Sequence, residues 1–150
     1  MKNAFNQKDT AEFISRIEKL SLTTKSYWGK MKVEKMLAHC NVTYEKIYDD
    51  IHPKSNAFKK FLLKLFVKNA VVNEKPYKKN GQTAPEFIIK NDRDFETEKK
   101  RLIEYIIKTQ QLGENHFDQK ESHSFGIMTK QEWSNMLSKH LDHHLTQFGV

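Results

Sequence analysis

Apolar residues return at helical spacing along most of this chain, and the breaks between those stretches outline its elements. Between positions 10 and 20, Ala11, Ile14, Ile17 and Leu20 fall three apart and Phe13 widens the stripe, which predicts a first helix capped by Asp9 or Thr10. After the turn-like SYWGK, a second helix is predicted from about Lys32 to Ile51, with Val33, Met36, Leu37, Cys40, Tyr44, Ile47 and Ile51 on one face. His52-Pro53 ends it, because the residue before proline is pushed out of the α region.

Ser55 or Asn56 then caps AFKKFLLKLFVKNAVV, where Phe58, Phe61, Leu62, Leu65 and Phe66 alternate with Lys60, Lys64 and Lys68. Lysines opposite aromatics suit a membrane-surface helix. In so short a chain the expected use of that apolar face is packing on the domain's own core. Positions 73–91 hold Pro76, Asn80-Gly81 and Pro85 and read as a long connection.

A further helix is predicted from Asp94 to Leu112, carrying Phe95, Leu102, Tyr105 and Ile106, with Gly113 as its stop. Glu96–Lys100 and Glu104–Lys108 have the spacing of surface ion pairs on it. Positions 113–128 read as a second loop. The last helix has the clearest start: Thr129 and Glu132 have capping-box spacing, and Met128 can pack on Trp133 as a hydrophobic staple. Its apolar positions are Trp133, Met136, Leu137, Leu141, Leu145 and Phe148.

Composition agrees with a helical chain. With 150 residues, 37% hydrophobic and 30% charged, and only five glycines and three prolines, the sequence suits one mainly α-helical domain over 1–150. No run approaches the roughly 20 apolar residues of a membrane-spanning helix, and MKNAFNQKDTAEF lacks the apolar core of a secretory signal. A soluble, cytoplasmic protein is expected. The single cysteine, Cys40, cannot form an internal disulfide and reads as a small buried apolar residue.

The net charge of +7 favours phosphate-rich partners only if the lysines share a face. They are densest from Lys54 to Lys79, but the chain has only three arginines, Arg16, Arg93 and Arg101. The side chain best suited to reading base edges is thus scarce, so specific nucleic-acid recognition is not expected.

The candidate chemistry lies in KHLDHHLTQFGV, Lys139 to Val150. On a helical wheel the apolar stripe of the last helix is centred close to His144, and His140 lies about 40 degrees away, inside the same stripe. His143 is about 100 degrees off at the stripe's edge, and Asp142 points to solvent. Two inward imidazoles one turn apart need partners, since unpaired polar groups are costly to bury. A metal ion is one answer, because neutral imidazole binds zinc, nickel, copper or iron. H-x-x-x-H alone is a weak signal. Among the other histidines only His39 lies inside a predicted helix; it sits about 100 degrees from the centre of that helix's stripe, so periodicity permits it without requiring it.

MLAHC in the second helix, HSFGIMTKQEW before the last, and the KHLDHHLTQFGV tail together resemble the DinB/YfiT-like superfamily of metalloenzymes. They are most similar to a branch of uncharacterised function, and APEFIIKNDRDFETEKKRL fits that branch too, so the resemblance covers nearly the whole chain. It implies a four-helix bundle with long crossovers and an additional helix between the second and third bundle helices. It also implies a metal site on His39, His140 and His144, with His143 as the spare histidine beside the pair and Gln147 as the polar residue one turn after it; His123 is a candidate for a hydrogen bond behind the metal, against the simpler reading of a solvent-exposed loop histidine.

Two features depart from the family pattern: Lys30, Met31 and Lys32 stand where Ser or Thr commonly caps the second helix, and His123-Ser124 replaces a common His-Pro.

Three nitrogens with an open fourth position suit a catalytic divalent ion, with zinc or nickel foremost. The resemblance further implies thiol-dependent transfer chemistry on a small-molecule substrate, a low-molecular-weight thiol among the reactants, and pairing into a homodimer. Two other classes stay open. One is a non-catalytic binding or stress-response bundle with a vestigial site; the other is a basic surface for nucleic acid or anionic lipid, resting on Lys59 to Lys79.

Overall fold

The computed structural model describes residues 1–49 and 51–150. Along the chain run α1 (Gln7–Glu18), α2 (Val33–Tyr48), α3 (Ala57–Phe66), α4 (Lys68–Val72), a 3-10 turn (Pro85–Phe87), α5 (Phe95–Phe117), β1 (Lys120–Ser122), β2 (Gly126–Met128) and α6 (Lys130–Gln147). Helices α1, α2, α5 and α6 pack on one another, and α3 with α4 forms the additional helical segment between the second and third of them. The fold is all-α and bundle-like, as the periodicity predicts.

The stripes meet as expected. Phe13 and Ile17 of α1, Leu37 and Cys40 of α2, Leu102 and Ile106 of α5, and Leu141 and Leu145 of α6 belong to one buried cluster. Phe117, Phe125, Met128 and Trp133 form a second, at the start of α6. There the capping box is complete, with Thr129 Oγ1 accepting from Glu132 N and the Glu132 carboxylate accepting from Thr129 N. Met128 and Trp133 lie together in that second cluster, as the staple requires.

Several boundaries differ from the expectation. Helix α1 starts at Gln7 because Asn6, rather than Asp9 or Thr10, is the cap: its side chain accepts from Lys8 N and Asp9 N. Helix α2 starts after Lys32 with no side-chain cap and closes at Tyr48, where Asp49 turns to extended backbone. The predicted continuation to Ile51 crosses position 50, which lies outside the described residues, and Ile51 itself is exposed. Gly113 is a kink and not a stop: at φ 72 it interrupts α5, and a further turn reaches Phe117. Within α5 Lys100 pairs with Glu104 at 3.9 Å, and neither of the two expected pairs occurs among the described residues. Positions 113–128 are not all loop either, since Lys120 pairs with Met128 and Ser122 with Gly126 in an antiparallel hairpin.

The largest departure is α3, which does not bury its aromatic stripe. Phe58, Phe61, Leu65 and Phe66 are 71%, 61%, 60% and 72% exposed, while Leu63, on the opposite side, packs toward the second cluster. Ion pairs hold the segment down by that opposite side: Lys60 to Glu121 at 2.9 Å and Lys68 to Glu132 at 2.8 Å. Helix α4 is fastened to α6 in turn. Lys139 Nζ, on a buried residue, donates to the carbonyls of Ala70 (2.8 Å) and Asn73 (2.6 Å), and Asn135 Nδ2 donates to Val72 O (2.8 Å). These bonds satisfy carbonyls that the end of a helix leaves free. No helix is long and apolar enough to cross a membrane among the described residues.

Candidate metal centre

Packing of α2 on α6 brings His39 against His140 and His144. One ring nitrogen from each lies within 4.8 Å of the others. Ring centroids are 4.5 Å apart for His39–His144 and 4.9 Å for both His39–His140 and His140–His144. The wheel placed His39 off the stripe, yet it is buried, because every residue of α2 from Met36 to Glu45 is buried. A helix enclosed on all sides has no solvent face for periodicity to reveal.

Hydrogen bonds fix where the protons sit. His39 Nδ1 is 2.9 Å from the carbonyl oxygen of Phe87, which can only accept, so Nδ1 carries the hydrogen and Nε2 presents a lone pair. His144 Nδ1 is 2.8 Å from Gln147 Oε1. The orientation of that amide is set by its other end, since Gln147 Nε2 donates to Trp28 O at 2.8 Å. His144 is therefore also protonated on Nδ1 and free on Nε2.

His140 has a choice. Its Nδ1 is 3.0 Å from Thr43 Oγ1, a hydroxyl that can donate or accept, and its Nε2 is 2.9 Å from His39 Nε2. With Nε2–H it donates to His39. With Nδ1–H it donates to Thr43, and two lone pairs then face each other across 2.9 Å. A cation between them relieves that opposition, and tetrahedral metal–nitrogen bonds of about 2.0–2.1 Å set neighbouring ligand nitrogens about 3.3 Å apart, a few tenths of an ångström wider than this pair. The donor set fits a divalent ion, and each ring has the oxygen partner on its far nitrogen that metal-binding histidines usually have.

Charge agrees with geometry. Burial lowers the pKa of all three imidazoles: His39 lies below its ordinary 6.5 and His140 well below it. His144 falls to about 3, through burial first and then the neighbouring His39. Three neutral imidazoles at neutral pH are three available ligands.

The histidines open onto a cavity of about 380 Å³, within the size range of small-molecule sites. Its apolar wall includes Ile47, Leu63, Val67, Val71, Trp133 and Met136, and all of these but Val67 belong to or pack against the second cluster. Across residues 2–149 the chain matches the model of a family described as a protein of unknown function, DUF1569. The chain belongs to the DUF1569 family. No curated protein and no solved structure matches it. The DUF1569 match takes in every helix that carries a histidine of the cluster and every wall of the cavity.

Other residues singled out in this DUF1569 sequence have different places. Gln147 touches His144 as described. His143 is not one of the three; half-buried, it lines the cavity with its ring edge-on to Trp28 and Tyr77. His123 lies in the turn of the hairpin and lines the same cavity, and the hydrogen bonds of His39, His140 and His144 go to other residues. Cys40 is a buried thiol whose pKa burial pushes far up. The central lysines are dispersed among partners: Lys60 and Lys68 in the pairs above, Lys59 to Glu86 at 3.8 Å, and Lys79 over the Trp28 ring.

Thr43, the Phe87 carbonyl and the Trp28 carbonyl are the partners that sequence reasoning missed. Thr43 alone carried a signal, lying one helical turn after His39. The two carbonyls belong to connecting segments, where residue type says nothing about direction.

Proposed function

We propose that this protein is a divalent-metal-binding helical bundle of the DinB-like kind, with His39, His140 and His144 as ligands. The observation that carries the reading is the arrangement of the three rings: neutral imidazoles with one nitrogen each within 4.8 Å, two of them with Nδ1–H fixed by protein oxygens so that Nε2 presents its lone pair. Three protein nitrogens leave a further position open, which suits a catalytic ion, with zinc or nickel the best matches to imidazole. When bound, such an ion acidifies a water or thiol and polarises an electrophile.

The chain's own residues do the rest. Phe87, Gln147 and Thr43 orient the ligands, and the apolar wall offers a surface for a substrate's apolar part. His143 and Tyr77 are proton-carrying groups on its lining; burial pushes the Tyr77 phenol up to about 12, so it stays protonated. A metal-dependent transferase or hydrolase follows, and the resemblance of the tail favours a low-molecular-weight thiol as one reactant.

One observation favours a second reading, a non-catalytic bundle with a vestigial site. His140 can donate Nε2–H to His39 Nε2 and accept from Thr43, which satisfies the pair with no ion at all. Metal content separates the two. In protein purified without a histidine tag, about one ion per chain is expected in the wild type and a large loss in His144→Ala. Equal and negligible metal in both would sink the metal reading.

A further inference from the structure

From the cavity beside the histidines we infer the class of ligand: an apolar anion, with an alkyl or aryl body against the apolar wall and a carboxylate or thiolate head at the metal. The inference rests on the metal reading for the head and on the cavity alone for the body. On the lining, His39, His140 and Thr43 are joined by hydrogen bonds and His144 packs beside them, while Ile47, Leu63, Val71, Trp133 and Met136 belong to or pack against the second hydrophobic cluster. A ligand that reaches the histidines has Ile47, Leu63, Val71, Trp133 and Met136 beside it. Against these five side chains an apolar body gains by burial, whereas a polar one gives up its water and finds hydrogen bonds only elsewhere on the lining, at groups such as Gln82, Thr83, His123 and Ser124.

The sign of the head follows from charge. The charged side chains on the lining are Lys46, Lys78 and Glu86, and Glu86 is already shared, 3.5 Å from Lys46 and 3.8 Å from Lys59. With neutral histidines and a divalent ion the cavity is net positive, so an anionic head is favoured and a cationic one opposed. The volume, about 380 Å³, is that of a small-molecule site.

The test uses the straight-chain carboxylates from acetate to decanoate as probes on the whole protein, cobalt-loaded and metal-free. Affinity is read by calorimetry, head-group coordination by the cobalt absorption spectrum. Affinity is expected to rise about fourfold per added methylene, then to stop rising once the cavity is full, while the spectrum shifts on binding. Val71→Gln, a change on the exposed segment that walls the cavity, is expected to flatten the series and to leave cobalt uptake intact. A flat series in cobalt-loaded wild type overturns the ligand class and leaves the metal reading standing. A steep series in protein that takes up no cobalt has the opposite meaning: the apolar cavity stands and the metal reading falls. A series that stays steep in Val71→Gln overturns the assigned wall.

Discussion

Helices α6 and α3 both depart from the usual rule for an amphipathic helix, in opposite senses. On α6 the inward face includes two imidazoles and a buried lysine, each with a partner: His140 with His39 and Thr43, His144 with Gln147, Lys139 with the end of α4. On α3 the outward face is a row of phenylalanines and leucines that touches solvent, while the segment is held by its other side through Leu63 and two ion pairs. Periodicity states which residues share a face. Whether that face is buried depends on what the rest of the chain places opposite it.

The contrast can be pressed hardest with acid. The folded-state pKa values of His39, His140 and His144 lie below 6.5, so in mildly acidic solution the unfolded chain binds more protons than the folded one. For metal-free protein, the stability from keeping these rings neutral is fully present above about pH 6.5 and is lost toward the folded values, about 3 for His144. Each ring contributes a slope of up to about 1.4 kcal/mol per pH unit. Urea midpoints measured across that window should fall steeply in the wild type and less so in His144→Phe. Parallel curves would mean that the α6 face is not the acid-sensitive part.

A smaller effect tests how the imidazoles are held. Gln147→Leu keeps the volume but removes the acceptor on His144 Nδ1, and loss of such a partner typically costs about tenfold to a hundredfold in metal affinity. Competition with a chelator gives that number directly, and an unchanged affinity would show that the tautomer is fixed by other means. The smallest effect is expected on α3. Phe58→Ser and Phe66→Ser change exposed side chains, so each should alter stability by no more than about 0.5 kcal/mol; a cost of several times that in denaturant melts would mean the face is covered in solution.

Legibility followed the same division. The start of α6 could be read because capping box and staple are local, and His140 and His144 because they share a stripe with Leu137, Leu141 and Leu145. His39 could not be placed by its wheel, since α2 is surrounded. The hairpin escaped because three-residue strands leave no period to detect. The orientation of α3 was misjudged because its strongest apolar face is not the one that meets the body. What fixes the histidine protons was least legible of all, being mostly backbone carbonyls of residues 28 and 87.

One of those carbonyls sits beside Gly29, which has φ +78 and comes so close to the Gln147 amide that a Cβ there would stand 2.8 Å from Nε2. A side chain at position 29 would strain the turn and push away the amide that decides which nitrogen of His144 is free. Under the proposed metal reading, affinity would therefore depend on a residue that has no side chain and touches none of the three histidines. A variant at Gly29 would present as a binding defect with all three histidines intact.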